Sequence, residues 1–303
     1  MDTIPNKEGQ VIKTSSKISN KVVFDVDKIF NREIVSEFIK GSGQFVILPK
    51  GKELLEGLIL LLNELLKSEL GFQEVVLPKI APVSTFKQAR ILNKWDKYLL
   101  SVKPFSKTGG VKEEYIMDPL QCTTFYKFFE NKVIDTKNGA LKWCDKSGPT
   151  YRNEDLGKVI SGIKQKEFHR YEFMYIGTKE QVIQIREACL NKLEQLCKEL
   201  ALEYRIVVGS GCYQLENGEL DFPNSVDEIP IKDIEVYIPH RKIWLELAGS
   251  AALSTTITKN FNIKDINGNY LWSGCTGIGL DRFMYALISN HGVNLNFGGI
   301  KNE

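Results

Sequence analysis

Between Tyr151 and Gly177 the chain reads YRNEDLGKVISGIKQKEFHRYEFMYIG, and no other stretch limits the fold so tightly. Its two ends, 149–154 and 168–176, are β-prone, and the polar segment between them carries Gly157 and Gly162. That pattern predicts a hairpin with a long loop. Residues two apart on a strand share a face, so Arg152 goes with Glu154, and Phe168 goes with Arg170 and Glu172. Two guanidinium groups, two carboxylates and an aromatic ring on neighbouring surfaces are costly to place in a core. An exposed strand face laced with ion pairs satisfies the pattern. A site built for a charged ligand does so as well.

The rest of the chain supplies partners for that hairpin. Strands are expected at 44–48, 72–82, 115–117, 204–208, 233–238, 242–247 and around 270–275. Helical spacing of Leu54, Leu55, Leu58, Leu61, Leu62, Leu65 and Leu66 predicts a helix over 52–70 closed by Gly71. Further helices are expected over 31–40, in the aromatic-rich segment that begins near Cys122, over 179–200, and from Asp281 to a stop at Gly292. Residues 1 to about 20 are polar and rich in Lys and Ser, which predicts a mobile or loosely docked segment. The division expected is an extension over 1–41 and one catalytic unit over 42–303, with an insertion or lid around 209–230.

Composition narrows the setting. A chain of 303 residues with 43% hydrophobic and 26% charged residues can bury a substantial core in one large domain or two smaller ones. The run Gly57–Leu62 breaks at Asn63-Glu64, short of the roughly 20 residues a membrane span needs. The start MDTIPNKEGQ has no apolar signal core, and the six cysteines contain no C-x-x-C pair. Both point to a reducing, cytoplasmic setting without a membrane. Forty basic against 38 acidic residues leave a net charge of +2. No basic surface of the kind a nucleic-acid binder carries shows at that level.

The order R-x-E, loop, E-F-H-R-x-E resembles motif 2 of the class II aminoacyl-tRNA synthetases, and FHRYEFMYIGTKEQV is similar to the methanogen-type seryl-tRNA synthetases. The resemblance implies an α+β fold, the class II synthetase catalytic core, with a mostly antiparallel sheet flanked by helices. It implies that Arg152 grips the ATP α-phosphate and the amino acid carboxylate, that Glu154 completes the motif, and that Phe168 stacks on adenine. A guanidinium fork suits phosphate oxygens, and an aromatic face suits a purine. Lys164 and Lys166 stand where a loop Arg is usual, and Lys164 is placed beside the nucleotide on that ground. The helix 52–70 followed by a strand ending at Pro82 resembles motif 1, which implies a homodimer.

The segment GCTGIGLDRF resembles motif 3, with Gly277 and Gly279 letting the backbone lie against the nucleotide and Arg282 on the γ-phosphate. In IWLELAGS, Glu246 falls where the family holds Mg²⁺, with Ser250 beside it, and Glu235 of DIEVYIP is a weaker candidate. The resemblance further implies one catalytic Zn²⁺ per subunit on Cys122, Glu172 and Cys275, with the substrate's amino group in the fourth position. Two buried cysteines and a paired glutamate are the plain alternative.

About 40 residues precede the matching region, too few for a tRNA-reading domain of ordinary size. A core of this kind without that domain resembles the amino acid:[carrier protein] ligases. The expectation is therefore a ligase that forms an aminoacyl adenylate from ATP and glycine, alanine or serine. The acyl group would pass to the phosphopantetheine thiol of a small acidic carrier protein, with tRNA not expected as a partner. The alternatives are a compact seryl-tRNA synthetase-like enzyme that charges tRNA, and a catalytically silent paralogue with a regulatory role.

Overall fold

Alternation along Glu167–Gly177 decides the architecture. In this strand Tyr171, Phe173 and Tyr175 enter one apolar core while Met174 and Ile176 enter another, so both faces of the sheet are covered. The computed structural model describes residues 4–18, 22–103, 114–153, 158–211, 223 and 225–293. Its centre is a nine-stranded sheet: β1 (Val11–Thr14), β2 (Gln73–Glu74), β3 (Leu141–Asp145), β4 (Pro149–Tyr151), β5 (Glu167–Gly177), β6 (Tyr204–Val208), β7 (Ile231–Ile238), β8 (Ile243–Ala252) and β9 (Trp272–Gly279). The order is β1-β6-β7-β8-β9-β5-β3-β2, with β4 paired to the start of β5. Among the described strands of this sheet only the β2–β3 pair is parallel, so the sheet is mostly antiparallel and the fold α+β, as expected.

One face is covered by α1 (Pro49–Leu62), α3 (Lys179–Glu199) and α4 (Leu280–His291). The α1 leucines Leu54, Leu55, Leu58, Leu61 and Leu62 are all buried, as their helical spacing requires. Each such side chain contributes roughly 1.5–3 kcal/mol relative to an exposed one. Thr178 caps α3 in a reciprocal box with Gln181, and Gly292 ends α4 at φ 72°. The other face carries a smaller core of Phe125 and Tyr126 from α2 (Gln121–Phe128), with Met174, Ile176 and Phe261. It leaves part of the sheet open, and the site lies there.

The β7–β8 pairing carries a bulge. Ile234 opposes Ala248 and Glu235 opposes Glu246, so Leu247 is an extra residue. Its effect is to exchange the faces of β8. Leu245 and Leu247 pack into the helix-side core before it, and Ala248 and Ala252 do so after it.

Three local expectations differ from the structure. The segment expected to be mobile or loosely docked over 1 to about 20 holds a strand, β1, paired antiparallel with β6, and after it Val26, Phe30 and Ile34 are buried in the helix-side core. Helical turns lie at Val26–Ile34, ahead of the expected 31–40, and Val35–Glu37 pairs with Phe45–Ile47 as a separate ribbon. The strand expected over 72–82 is broken into Gln73–Glu74 and Ile80–Pro82. Pro78 lies between these pieces and has no N–H for a ladder. Glu154 and Gly157 of the hairpin loop, and most of the insertion expected around 209–230, lie outside the described residues. Among the described residues no helix is long and apolar enough to cross a membrane.

The N-terminal turn is tied to the sheet through Asp27. Its Oδ1 accepts from Arg241 Nη2 and from Tyr285 OH, both at 2.7 Å. Burial opposes its ionisation, but these two donors outweigh it and hold the carboxyl below its usual range. Asp27→Asn is expected to cost about 1 kcal/mol in urea unfolding at pH 7, discounted for the partial exposure of the pair. A carboxyl lowered by folding stabilises above its unfolded pKa of about 3.9, so the wild-type advantage should close as the pH falls below that value. An advantage that persists at pH 2 would count against the charge pairing.

Candidate active site

The open part of the sheet frames a cavity of about 450 Å³. At one end Cys122, Glu172 and Cys275 meet, brought from the first turn of α2, the middle of β5 and β9. Their ligand atoms all lie within 4.8 Å of one another, and all three residues are buried. Arg170 Nε lies 2.6 Å from Glu172 Oε2, close enough for an ion pair. Neither Glu172 oxygen is in a well-aligned hydrogen bond among the described residues. A buried carboxylate with lone pairs to spare beside two thiols is the donor set of a cation site. Two sulfurs and one oxygen suit Zn²⁺ and leave one tetrahedral position open. With no cation, the hydrogen bond to Cys122 and then burial hold the Cys275 thiol well above its usual range.

Backbone geometry makes room for this. Gly277 lies opposite Glu172 on the neighbouring strand. A Cβ on Gly277 would fall inside the Arg170 guanidinium and against the Glu172 carboxylate. Nearby, Asp118 is fully buried, and burial pushes its carboxyl up to about 7. One of its oxygens accepts from the Leu120 amide at 3.1 Å.

The other end of the cavity is polar and basic. Arg152 reaches it from the end of β4 and donates from Nε to the Pro119 carbonyl at 2.9 Å. Phe168, Lys164 and Gly279 line the same space, as does Arg282 from the first turn of α4. Arg282 Nη1 lies 3.2 Å from Glu246 Oε2. Asp281 next to it accepts the His169 amide, fixing the helix start against β5.

Two residues singled out in the sequence are placed elsewhere. Ser250 is fully buried on the opposite face, where its Oγ lies 2.6 Å from Thr276 Oγ1. The bulge at Leu247 is the reason: alternation from Glu246 would bring 250 to the cavity, but after the extra residue Gly249 and Ala251 are the lining positions. Glu235 is likewise not a lining residue and pairs with Arg205 at 2.5 Å. Asp233, two residues earlier on the same strand face, lines the cavity instead. Its carboxyl is pushed up to about 8 by burial and by the neighbouring Glu246 and Glu235, against Arg282. The D-x-E alternation of DIEVYIP already put both acids on one face; the register sets Glu235 opposite Glu246 and Asp233 opposite Gly249, whose lack of a side chain leaves room for the Asp233 carboxylate. Trp95 and Tyr98 also line the cavity and were not singled out. Two aromatic residues in the polar stretch NKWDKY were the available signal.

Residues 105–291 match the tRNA synthetase class II core domain (G, H, P, S and T). The chain is 30% identical to the type-2 serine–tRNA ligase of Methanocaldococcus jannaschii over 322 residues, covering 94% of this chain and 60% of that protein. It is 28% identical to the type-2 serine–tRNA ligase of Methanopyrus kandleri, covering 85% and 55%. Among solved structures, the M. kandleri seryl-tRNA synthetase in complex with A. aeolicus tRNASec superposes with a TM-score of 0.85 at 25% identity, covering 96% of this chain and 62% of that one. The cytoplasmic serine–tRNA ligase of Naegleria fowleri in complex with AMP shares the fold, with a TM-score of 0.77 at 13% identity over 96% and 70%.

These findings overturn the expectation that the acceptor is a phosphopantetheine carrier protein and that tRNA is not a partner. The proteins this chain resembles are tRNA ligases, and one of them is solved with a tRNA bound. The ground for that expectation was the short stretch ahead of the matching region. It is not a sound one, because the chain spans only 55–60% of the length of these two relatives.

Gly277→Ala should force Arg170 and Glu172 apart. Overpacking of this kind costs about 1–3 kcal/mol. The expected readings are a lower melting temperature and loss of bound metal in elemental analysis; a variant that keeps both would show that the close approach at Gly277 is unimportant.

Proposed function

Since this chain belongs to the tRNA synthetase class II core domain family, we propose that it uses ATP to activate a small amino acid, serine first among them, and passes the acyl group to a tRNA. The observation that carries this reading is the convergence in one cavity of a thiol-carboxylate-thiol trio with Arg152, Phe168 and Arg282. A trio alone fits a structural metal, and a basic cavity alone fits any anion. Together they fit a substrate with an amine at one end and a phosphate chain at the other.

Cys122, Glu172 and Cys275 would hold Zn²⁺. That ion supplies an open position for a neutral amine and so selects a free α-amino group. Arg152 lines the same cavity, and its guanidinium fork is suited to bond the substrate carboxylate and the α-phosphate at once. Phe168 offers a face for adenine, and Lys164 and Arg282 offer positive charge to the phosphates. Glu246, with Asp233 on the neighbouring strand opposite Gly249, presents the oxygen donors that suit Mg²⁺. The absence of a side chain at Gly279 leaves the strand open to the nucleotide.

The substrate carboxylate oxygen forms a bond to the α-phosphorus as the bond to pyrophosphate breaks. The tRNA hydroxyl then attacks the acyl carbon, and AMP leaves. Arg152 and Arg282 carry their part of the first step by position and charge, with no protein nucleophile required.

Purified protein with ATP, labelled pyrophosphate and each amino acid in turn tests the first step, and added total tRNA tests the second. Serine-dependent exchange and seryl-tRNA are expected. Arg152→Ala should lower exchange by about 10²–10³-fold. No exchange with any amino acid would sink the reading.

A further inference from the structure

We propose that Trp95 is a positioning residue for Arg152, acting by clamping its guanidinium between two aromatic faces. The Arg152 Cζ lies 4.5 Å from the Trp95 ring centroid and 5.4 Å from that of Phe168. In the guanidinium's own direction, Nε donates to the Pro119 carbonyl at 2.9 Å. A long side chain with four rotatable bonds is thus held by rings and by a backbone acceptor.

The clamp is itself anchored. Trp95 ends the short helix Leu92–Trp95, and its amide donates to the Ile91 carbonyl at 3.0 Å. Ile91 is fully buried in the smaller core. Three residues on, the Tyr98 carbonyl accepts the Asn153 amide at 2.8 Å, directly after Arg152. The Trp95 and Tyr98 rings meet edge to face at 5.7 Å. The segment Leu92–Tyr98 is therefore fastened to the chain at Arg152 through backbone as well as through the indole, and it forms one wall of the cavity.

A residue that must meet both a carboxylate and a phosphate gains from being held before either arrives, because ordering it during binding would cost rotamer freedom. The indole face supplies that order without occupying hydrogen-bond donors. Phe168, the second ring near the guanidinium, is the face proposed for adenine, so Trp95 is the ring that remains when the nucleotide competes for the phenyl ring. This inference rests on the proposed adenylate chemistry for the role of Arg152, but not for the geometry of the clamp.

The test compares Trp95→Phe with Trp95→Leu in the full chain. Phenylalanine keeps an aromatic face, and leucine keeps bulk without one. Calorimetry with Mg·ATP and serine-dependent pyrophosphate exchange are read for both, alongside melting temperature. Trp95→Leu is expected to weaken Mg·ATP binding and to slow exchange turnover by about tenfold each. Trp95→Phe should recover to within about threefold of wild type. Equal damage in the two variants, wild-type behaviour of Trp95→Leu, or a change confined to the KM for serine would overturn the clamp. If the wild type binds Mg·ATP but exchanges with no amino acid, the functional reading fails, and the ATP titration still decides on Trp95. Absence of ATP binding by the wild type would sink both.

Discussion

A glutamate buried in the middle of a sheet is the constraint the rest of this structure accommodates. Glu172 sits on the fifth strand with no exposure, and an isolated carboxylate there would be expensive by several kcal/mol. Arg170 on the same strand face offsets part of that cost, and two cysteines from distant segments face the remaining lone pairs. The neighbouring strand gives way by having Gly277 opposite. None of these features stabilises the fold on its own account. Their joint occurrence makes sense as preparation for a ligand at the margin of the smaller of the two cores that the sheet separates.

Much of this was legible in the sequence because it is periodic. The leucine spacing of the first long helix read directly onto what is buried, and the alternation of FHRYEFMYI onto which face of the sheet each side chain takes. The convergence of Cys122, Glu172 and Cys275 was expected only by resemblance, since no local spacing joins these residues. The N-terminal segment was not legible. Its first 20 residues are polar, yet Val11–Thr14 completes the sheet edge against Tyr204–Val208. Backbone pairing sufficed for that, and a composition average cannot register it.

The errors within the site have one source. Strand periodicity predicts which residues share a face only while register is unbroken, and the β7–β8 pair breaks it at Leu247. Ser250 is consequently a member of a hydroxyl cluster with Thr276 and Tyr175, away from the cavity. Gly249 takes the lining position, and Asp233 approaches it closely enough to crowd any Cβ placed there. An acid pair across two strands thus replaces the acid and hydroxyl expected along one.

That extra residue makes the strand sensitive to count more than to identity. A different apolar side chain at 247 leaves the alternation on both flanks as it is. Removing one residue rotates everything on one flank by half a turn, so that either Glu246 enters the leucine layer or the small residues beyond it do. Among descendants of this chain, exchange of one apolar letter for another at 247 is compatible with a working site, whereas a change of length within IWLELAGS amounts to a different protein.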